Sequence, residues 1–390
     1  MIRWLALVAL VAGCSAGPPS VPPPGPNVPT VTLAPPSDPK SAPPSPGLPP
    51  ALAAMSLEER AGQLIMVPVL ADGGSSEGAD AVAQLIGQRH LGSVLFLGDG
   101  WDSAAEVAAA SLKLRQAAGP VGLWLAADQE GGRVQRLHGD GFDRIPSGME
   151  QGDMPVAALT EAAQSWAEQL AGAGINLSLA PVLDAVDPAD RAANASIGAL
   201  DRDFGLDPDG NAAHGVAVIK GLRQGGVGSV VKHFPGLGGV AGNTDFTAAA
   251  IADSTTTADG PVVKAFATAL AESPTMVMVS LAVYLQLDPD SSAALSHRVV
   301  SQLLRDDLGW DGVVVSDSLT AAAVSAVPLD QRAVRLIEAG GDLACFGSVE
   351  AALAALDGLI GRAKSDLAFA QLVDIAAGRV LAAKQADGLI

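Results

Sequence analysis

Asp128, Asp184, the pair Lys232-His233, Ser280 and Asp317 each close a short apolar, β-branched run. A charged group at the end of such a run is costly to desolvate unless it is paired or used. One such residue reads as a capping Asp, and Asp184 taken alone is open to that reading. Several together point to a common polar pocket with both carboxylates and cations. That mixture suits sugar chemistry. Glycoside hydrolysis uses one carboxylate as nucleophile and a second group to protonate the leaving oxygen. Asp, Arg, Lys and His side chains meanwhile hydrogen-bond ring hydroxyls, more strongly when charged. Neither a metal nor another cofactor is expected. His90, His138, His214, His233 and His297 show no pair at metal-ligand spacing, and two cysteines, Cys14 and Cys345, exclude a Cys-rich zinc site and a disulfide scaffold.

The elements that must position these residues alternate. Apolar runs fall at 63–70, 92–98, 121–128, 176–184, 228–235, 275–282, 311–318 and 341–348. Amphipathic stretches lie between them, for example at 79–89, 160–173, 261–272, 299–308 and 331–339. Continuous apolar character fits parallel strands buried on both faces. Eight strand–helix units in about 340 residues predict an α/β fold, a single (β/α)8 TIM-type barrel whose strand carboxyl ends build the site on one face. A doubly wound open sheet is the rival, but no GxGxxG or GxxxxGK[ST] marks a first strand–helix turn.

The chain has 390 residues, 49% of them hydrophobic, and a formal net charge of −19. That length can bury a sizeable core, and the acidity argues against a nucleic-acid partner, which needs a basic face. Arg3 precedes an apolar run over 4–12 that is too short to span a bilayer, for which about 20 residues are needed. The run suits a secretory signal, and Val11-Ala12-Gly13-Cys14 resembles a bacterial lipobox. Lipidation of Cys14 would anchor the protein to the outer face of the cell membrane; the alternative is an ordinary signal with an incidental Cys. Fifteen of the 27 prolines fall in 15–50, so this segment is expected to be a disordered tether, with a Pro-rich ligand for a partner domain as the alternative. The expected layout is a lipoprotein signal at 1–14, the tether at 15–50 and a catalytic barrel at 51–390.

Four runs carry a resemblance. They are Asp128-Gln129-Glu130-Gly131-Gly132-Arg133-Val134-Gln135-Arg136; Ala180-Pro181-Val182-Leu183-Asp184 followed by Ile197-Gly198 and Arg202-Asp203-Phe204-Gly205; Lys232-His233-Phe234-Pro235-Gly236-Leu237-Gly238; and Leu308-Gly309-Trp310-Asp311-Gly312-Val313-Val314-Val315-Ser316-Asp317-Ser318-Leu319. In this order they resemble the signatures of glycoside hydrolase family 3, specifically its NagZ-type β-N-acetylglucosaminidases, a branch that includes actinobacterial lipoproteins. The resemblance implies that Asp317 is the nucleophile of a retaining reaction through a covalent glycosyl-enzyme. It implies that Asp128, Arg136, Arg202, Lys232 and His233 hold the N-acetylglucosamine ring. Lys232 and His233 also read as strand-end partners of Asp184 or Asp128. Glu130 and Arg133 read as a structural ion pair beneath the Gly131-Gly132 turn.

The chain departs from the family in the segment after Lys232-His233, where Leu237 stands in place of a second His of many members. After K-H-F-P-G-x-G the family carries a loop with D-S-H, whose His is the general acid/base. Here the triplet is Asn243-Thr244-Asp245. Asp245 itself is the favoured acid/base, although a free Asp titrates near 3.9 and must be raised to act as an acid. Alternatively another carboxylate reaches in and Asp245 only orients the loop, or the leaving group is poorly protonated and the enzyme is slow or takes another acceptor. The glycines over 236–242 suggest a mobile loop.

The folded part is too short for the extra domains of many family β-glucosidases. With export, this implies a monomeric exo-hydrolase acting on peptidoglycan-derived β-1,4-linked N-acetylglucosaminyl–N-acetylmuramyl saccharides in cell-wall turnover. The rivals are a phosphorylase of the same family and a sugar-binding lipoprotein that has lost its acid/base. Trp101, Trp124, Trp166 and Trp310 are scattered and read mostly as packing, with a place near the sugar left open for Trp124, which precedes Asp128; Cys345 is expected as a buried, reduced thiol.

Overall fold

The computed structural model describes residues 50–71 and 77–390. The signal segment with Cys14, and the tether apart from Pro50, lie outside the described residues.

Each apolar run yields a strand, trimmed at its ends: β1 (Ile65–Leu70), β2 (Ser93–Leu97), β3 (Trp124–Ala127), β4 (Leu177–Ser178), β5 (Gly228–Phe234), β6 (Met276–Val279), β7 (Val313–Ser316) and β8 (Ala344–Cys345). All are parallel, in the order β7-β6-β5-β4-β3-β2-β1-β8. A parallel bridge from Val315 to Leu343 joins the two outer strands and closes the ring. Closure leaves no open sheet edge, and the expected barrel is the fold observed. β4 is much shorter than the run at 176–184. Pairing with β5 breaks after Ser178 and resumes as a single bridge between Val182 and Lys232; Pro181, between them, has no amide to give to a ladder.

A helix follows each strand: α1 (Ala79–Arg89), α2 (Ala104–Ala117), α3 (Val156–Gly172), α4 (Pro208–Gln224), α5 (Pro261–Leu270), α6 (Arg298–Asp307, wound as a π-helix), α7 (Leu329–Ala339) and α8 (Val349–Ser365), with α9 (Leu367–Ala386) after them. Their starts follow local chemistry. Ser103 accepts from Glu106 N at the start of α2, and Asp207 accepts from Gly210 N at the start of α4, where Pro208 fills the first turn. α7 stops at Gly340, whose φ of 101° suits glycine. The four residues of β7 and the four of β3 are all buried, as strands packed on both faces require.

The barrel's two ends differ. Trp124 opens β3 instead of closing it. Its indole N–H donates to Asp387 Oδ2 at 2.8 Å, and Lys384 Nζ lies 5.2 Å from a Trp124 ring centroid. Trp124 therefore sits at the amino end of the strands as a packing residue, away from the end that carries Asp128. At about 3.3 Å per residue, the strand separates it from Asp128 by roughly 13 Å. Cys345 is buried as expected, and burial pushes its thiol well above the usual range.

Candidate active site

The carboxyl ends of β3, β4, β5 and β7 bring Asp128, Asp184, Lys232, His233 and Asp317 to one end of the barrel. Residue Glu130 joins them. It follows β3 on a short excursion that turns at Gly131 and Gly132, with φ of 103° and 58°. A Cβ at Gly131 would lie 2.1 Å from Pro146 O, so only glycine lets the chain turn here and keep Glu130 inward.

Lys232 is 1% exposed. Its Nζ lies 2.6 Å from Asp128 Oδ1 and 2.5 Å from Glu130 Oε1. Arg202 makes a two-pronged bond to the same Glu130, Nε to Oε2 at 2.8 Å and Nη2 to Oε1 at 2.7 Å. Its Nη1 donates to Ser196 O at 2.9 Å. Burial opposes ionisation of Glu130, but the Arg202 and Lys232 cations outweigh it and hold the carboxyl well below its ordinary value. Burial likewise opposes the charge on Lys232 and Arg202. The carboxylates prevail and raise both, with Asp128 the leading partner for Lys232 and Glu130 for Arg202.

Asp184 is fully buried and anchors the next residue along. Its Oδ2 lies 2.7 Å from His233 Nδ1, and its Oδ1 accepts from Leu237 N at 2.7 Å. His233 Nε2 faces Arg202 Nη2 at 3.3 Å. The ring is thus held between a carboxylate on one side and a guanidinium on the other. The strand-end pairing expected for Lys232 and His233 is therefore present, with Asp128 and Asp184 respectively.

Two expectations change. Glu130 does not pair with Arg133, which is exposed on the turn; it pairs with Arg202 and Lys232, because the inward side of the Gly131-Gly132 turn faces β5 and the 196–202 segment. Arg136 stands apart from the cluster at the rim, where its Nη1 bonds Asp99 Oδ1 at 2.7 Å. Its backbone N donates to Asp128 O at 3.0 Å, which holds it beside the site.

Asp317 ends β7 half-buried, its Oδ1 accepting from Ser318 N at 2.8 Å. Asp245 approaches from the segment after β5. It keeps contact with solvent, while Thr244 before it is buried and Phe246 after it is 83% exposed. The protein crowding Asp245 raises its pKa to about 6, chiefly by desolvation and next by the Asp317 carboxylate; Arg202 and His233 oppose this and Asp128 adds to it. Instead of standing free, this glycine-framed loop is docked: Ala322 N donates to Asp245 O at 3.1 Å and Ala323 N to Thr244 O at 3.0 Å.

The structure thus brings together Asp128, Arg202, Lys232, His233, Asp245 and Asp317 as the sequence predicts, and sets Arg136, expected among them, at their edge. Sequence reasoning misses Glu130 as the hub of the ion network. The available signal was an acidic residue directly before two glycines at a strand end. It also misses the 322–323 amides, which carry no side-chain signature.

The family model described as Glycosyl hydrolase family 3 N terminal domain matches residues 56–383. A beta-hexosaminidase from Xylella fastidiosa (strain M23) is 33% identical over 308 residues, covering 77% of this chain and 89% of the relative. Among solved structures, a beta-N-acetylhexosaminidase from Beutenbergia cavernae DSM 12333 is 44% identical with a TM-score of 0.81, covering 85% of this chain and 99% of its own. M tuberculosis LpqI is 28% identical with a TM-score of 0.73, covering 85% of this chain and 94% of its own.

Proposed function

The chain belongs to glycosyl hydrolase family 3 and is a glycoside hydrolase, and on that premise we propose a retaining exo-β-N-acetylglucosaminidase with Asp317 as nucleophile and Asp245 as acid/base. The observation that carries the reading is the pairing of unlike carboxylates at one opening: Asp245 raised to about 6 by desolvation and by the charge of Asp317. A carboxyl raised beside a second carboxylate suits the proton donor, and leaves the nucleophile's role to its neighbour.

In the first step the Asp317 carboxylate attacks the anomeric carbon. The bond to the leaving oxygen breaks, and the Asp245 proton passes to that oxygen. Asp245, now a carboxylate, then takes a proton from water. That water attacks the anomeric carbon and frees Asp317, with overall retention. Asp128, Arg202, Lys232 and His233 hold the amino sugar and Arg136 adds a contact from the rim. The ion network matters because each side chain is already fixed by a partner, so little is reordered on binding. The family relatives named for hexosaminidase activity support the choice of sugar. The lipobox-like run ending at Cys14 supports an acyl-anchored enzyme on the outer face of the cell membrane, where peptidoglycan-derived N-acetylglucosaminyl–muramyl saccharides are the expected substrates.

The test is turnover of β-N-acetylglucosaminides by the full chain, with and without phosphate. Free sugar of retained configuration is expected in both. Phosphate-dependent sugar-1-phosphate would make the enzyme a phosphorylase instead, and tight glycan binding without turnover would make it a binding protein. Asp317→Asn is expected to lower kcat/KM by about 10³-fold or more with the melting temperature preserved. Asp245→Asn is expected to lower kcat/KM by about 10²-fold or more on substrates with poor leaving groups and little on activated aryl glycosides; equal losses would remove Asp245 from the acid role. An acid works only while protonated, so kcat/KM on poor leaving groups should fall as pH rises through about 6. That limb belongs to the Asp245–Asp317 pair, and Asp245→Asn should flatten it.

A further inference from the structure

A carboxylic acid that must hand its proton to one oxygen has to be held in place; a displacement of about 1 Å can cost on the order of 10²-fold in rate. The backbone around Asp245 shows what holds it. Asn243 Oδ1 accepts from Asp245 N at 2.9 Å. Asn243 O accepts from Phe246 N at 3.1 Å and from Thr247 N at 3.0 Å. The result is a single turn closed on Asn243 at both its side chain and its main chain, the local pattern for which Asn and Asp are suited. The outer side of the same turn is tied down independently. The carbonyls of Thr244 and Asp245 take the amides of Ala323 and Ala322, on the segment that continues from Asp317. Thr244, 3% exposed, fills the space between.

We propose that Asn243 is the positioning residue for Asp245, folding the 243–247 turn so that its carbonyls dock on the 322–323 amides and its carboxylate faces Asp317. This rests on the reading of Asp245 as the acid. Two chain segments, one bearing the acid and one following the nucleophile, are joined through main-chain bonds, and Asn243 shapes the turn that makes the junction possible. Its amide orients the backbone of Asp245 without adding charge. The raised pKa of Asp245 is accordingly owed to partial desolvation by the protein around it and to Asp317.

The experiment compares Asn243→Ala, Asn243→Asp and Asn243→Ser with Asp245→Asn in the full-length enzyme. Each is assayed on an N-acetylglucosaminyl disaccharide and on an activated aryl N-acetylglucosaminide, and thermal melting follows the fold. Alanine removes the acceptor, and its kcat/KM on the disaccharide should fall roughly tenfold with the aryl glycoside within about twofold of wild type. Asp and Ser keep an acceptor at the same place and should recover most of the loss. Full activity of Asn243→Ala, or equal losses on both substrates, would overturn the proposal. So would failure of both Asp and Ser to rescue. A leaving-group-dependent loss in Asp245→Asn with none in Asn243→Ala would refute the role of Asn243 alone. Equal losses in Asp245→Asn would refute the acid assignment, and the Asn243 proposal with it.

Discussion

The barrel buries a lysine at each end, and the two are held in opposite ways. Lys232, 1% exposed, lies at the carboxyl end of the strands between Asp128 and Glu130. Lys384, 0% exposed, reaches from α9 to the amino end and donates to Gln63 Oε1, Gly92 O and Gly122 O at 2.7, 2.8 and 2.7 Å, with the Trp124 ring beside it. Carboxylates overcome the burial of Lys232 and raise its pKa. Neutral oxygens do not overcome the burial of Lys384, whose pKa falls to about 7. A burial figure therefore says nothing about the role of a lysine; the charge of its partners does. One end has a balanced ion network on which a polar ligand can settle. The other has a lysine whose three donors meet uncharged oxygens of the chain just before β1, β2 and β3. This division follows the barrel's general plan, with function at the carboxyl end and stability at the amino end.

The comparison is broken most easily by removing each amine. Lys232→Met removes the cation that pairs with Asp128 and leaves Glu130 to Arg202 alone, so it should cost about 3 kcal/mol or more of stability and also abolish most activity per folded molecule. Lys384→Met leaves Gln63 Oε1 and Gly122 O without this donor and Gly92 O with only the Trp124 amide, and should cost about 2–4 kcal/mol, with kcat and KM unchanged. Denaturant melts together with steady-state kinetics check both. An activity loss for Lys384→Met with intact fold would erase the distinction between the ends.

A smaller effect sharpens it through pH. Lys384 has a folded pKa below its ordinary 10.5, so between about 7 and 10 the unfolded chain holds the extra proton. Stability from this group rises with pH across that window. Lys232 has a raised folded pKa, so its contribution is complete below the ordinary lysine value and is lost only as pH climbs through the raised one. Urea midpoints at pH 7 and pH 9 for wild type and Lys384→Met should show a favourable pH term that disappears in the variant. The smallest effect is expected at the rim, where Asp99 is 80% exposed beside Arg136. Asp99→Asn should change stability by less than about 1 kcal/mol and KM by about threefold at most; a larger shift would extend the working network out to the rim.

Much of this was legible before any coordinates. Runs such as 228–235 and 311–318 are apolar without alternation because both faces of a parallel strand are covered, and that pattern survives in the sequence. Asp317 was legible for the same reason, as a charge set at the end of such a run. Glu130 was not. Its partners Arg202 and Lys232 lie 72 and 102 positions away; Arg133, close in sequence, was the natural but mistaken choice. The place of Trp124 was left open because a strand's direction through the barrel, and not its nearness to Asp128 in the chain, decides which end a side chain occupies.

The sequence by itself determined the eight-unit alternation, the residues too polar to be buried without use, and the replacement of the family's His by Asp245. Tertiary structure alone decided which charges meet, which lysine is paired with carboxylates and which is held by uncharged oxygens, and how the turn bearing Asp245 is docked on the segment after Asp317. The physical reason is range. Periodicity and turn chemistry act over a few neighbouring residues and are written locally. Coulombic pairing and main-chain docking depend on distances that exist only once the ring has closed.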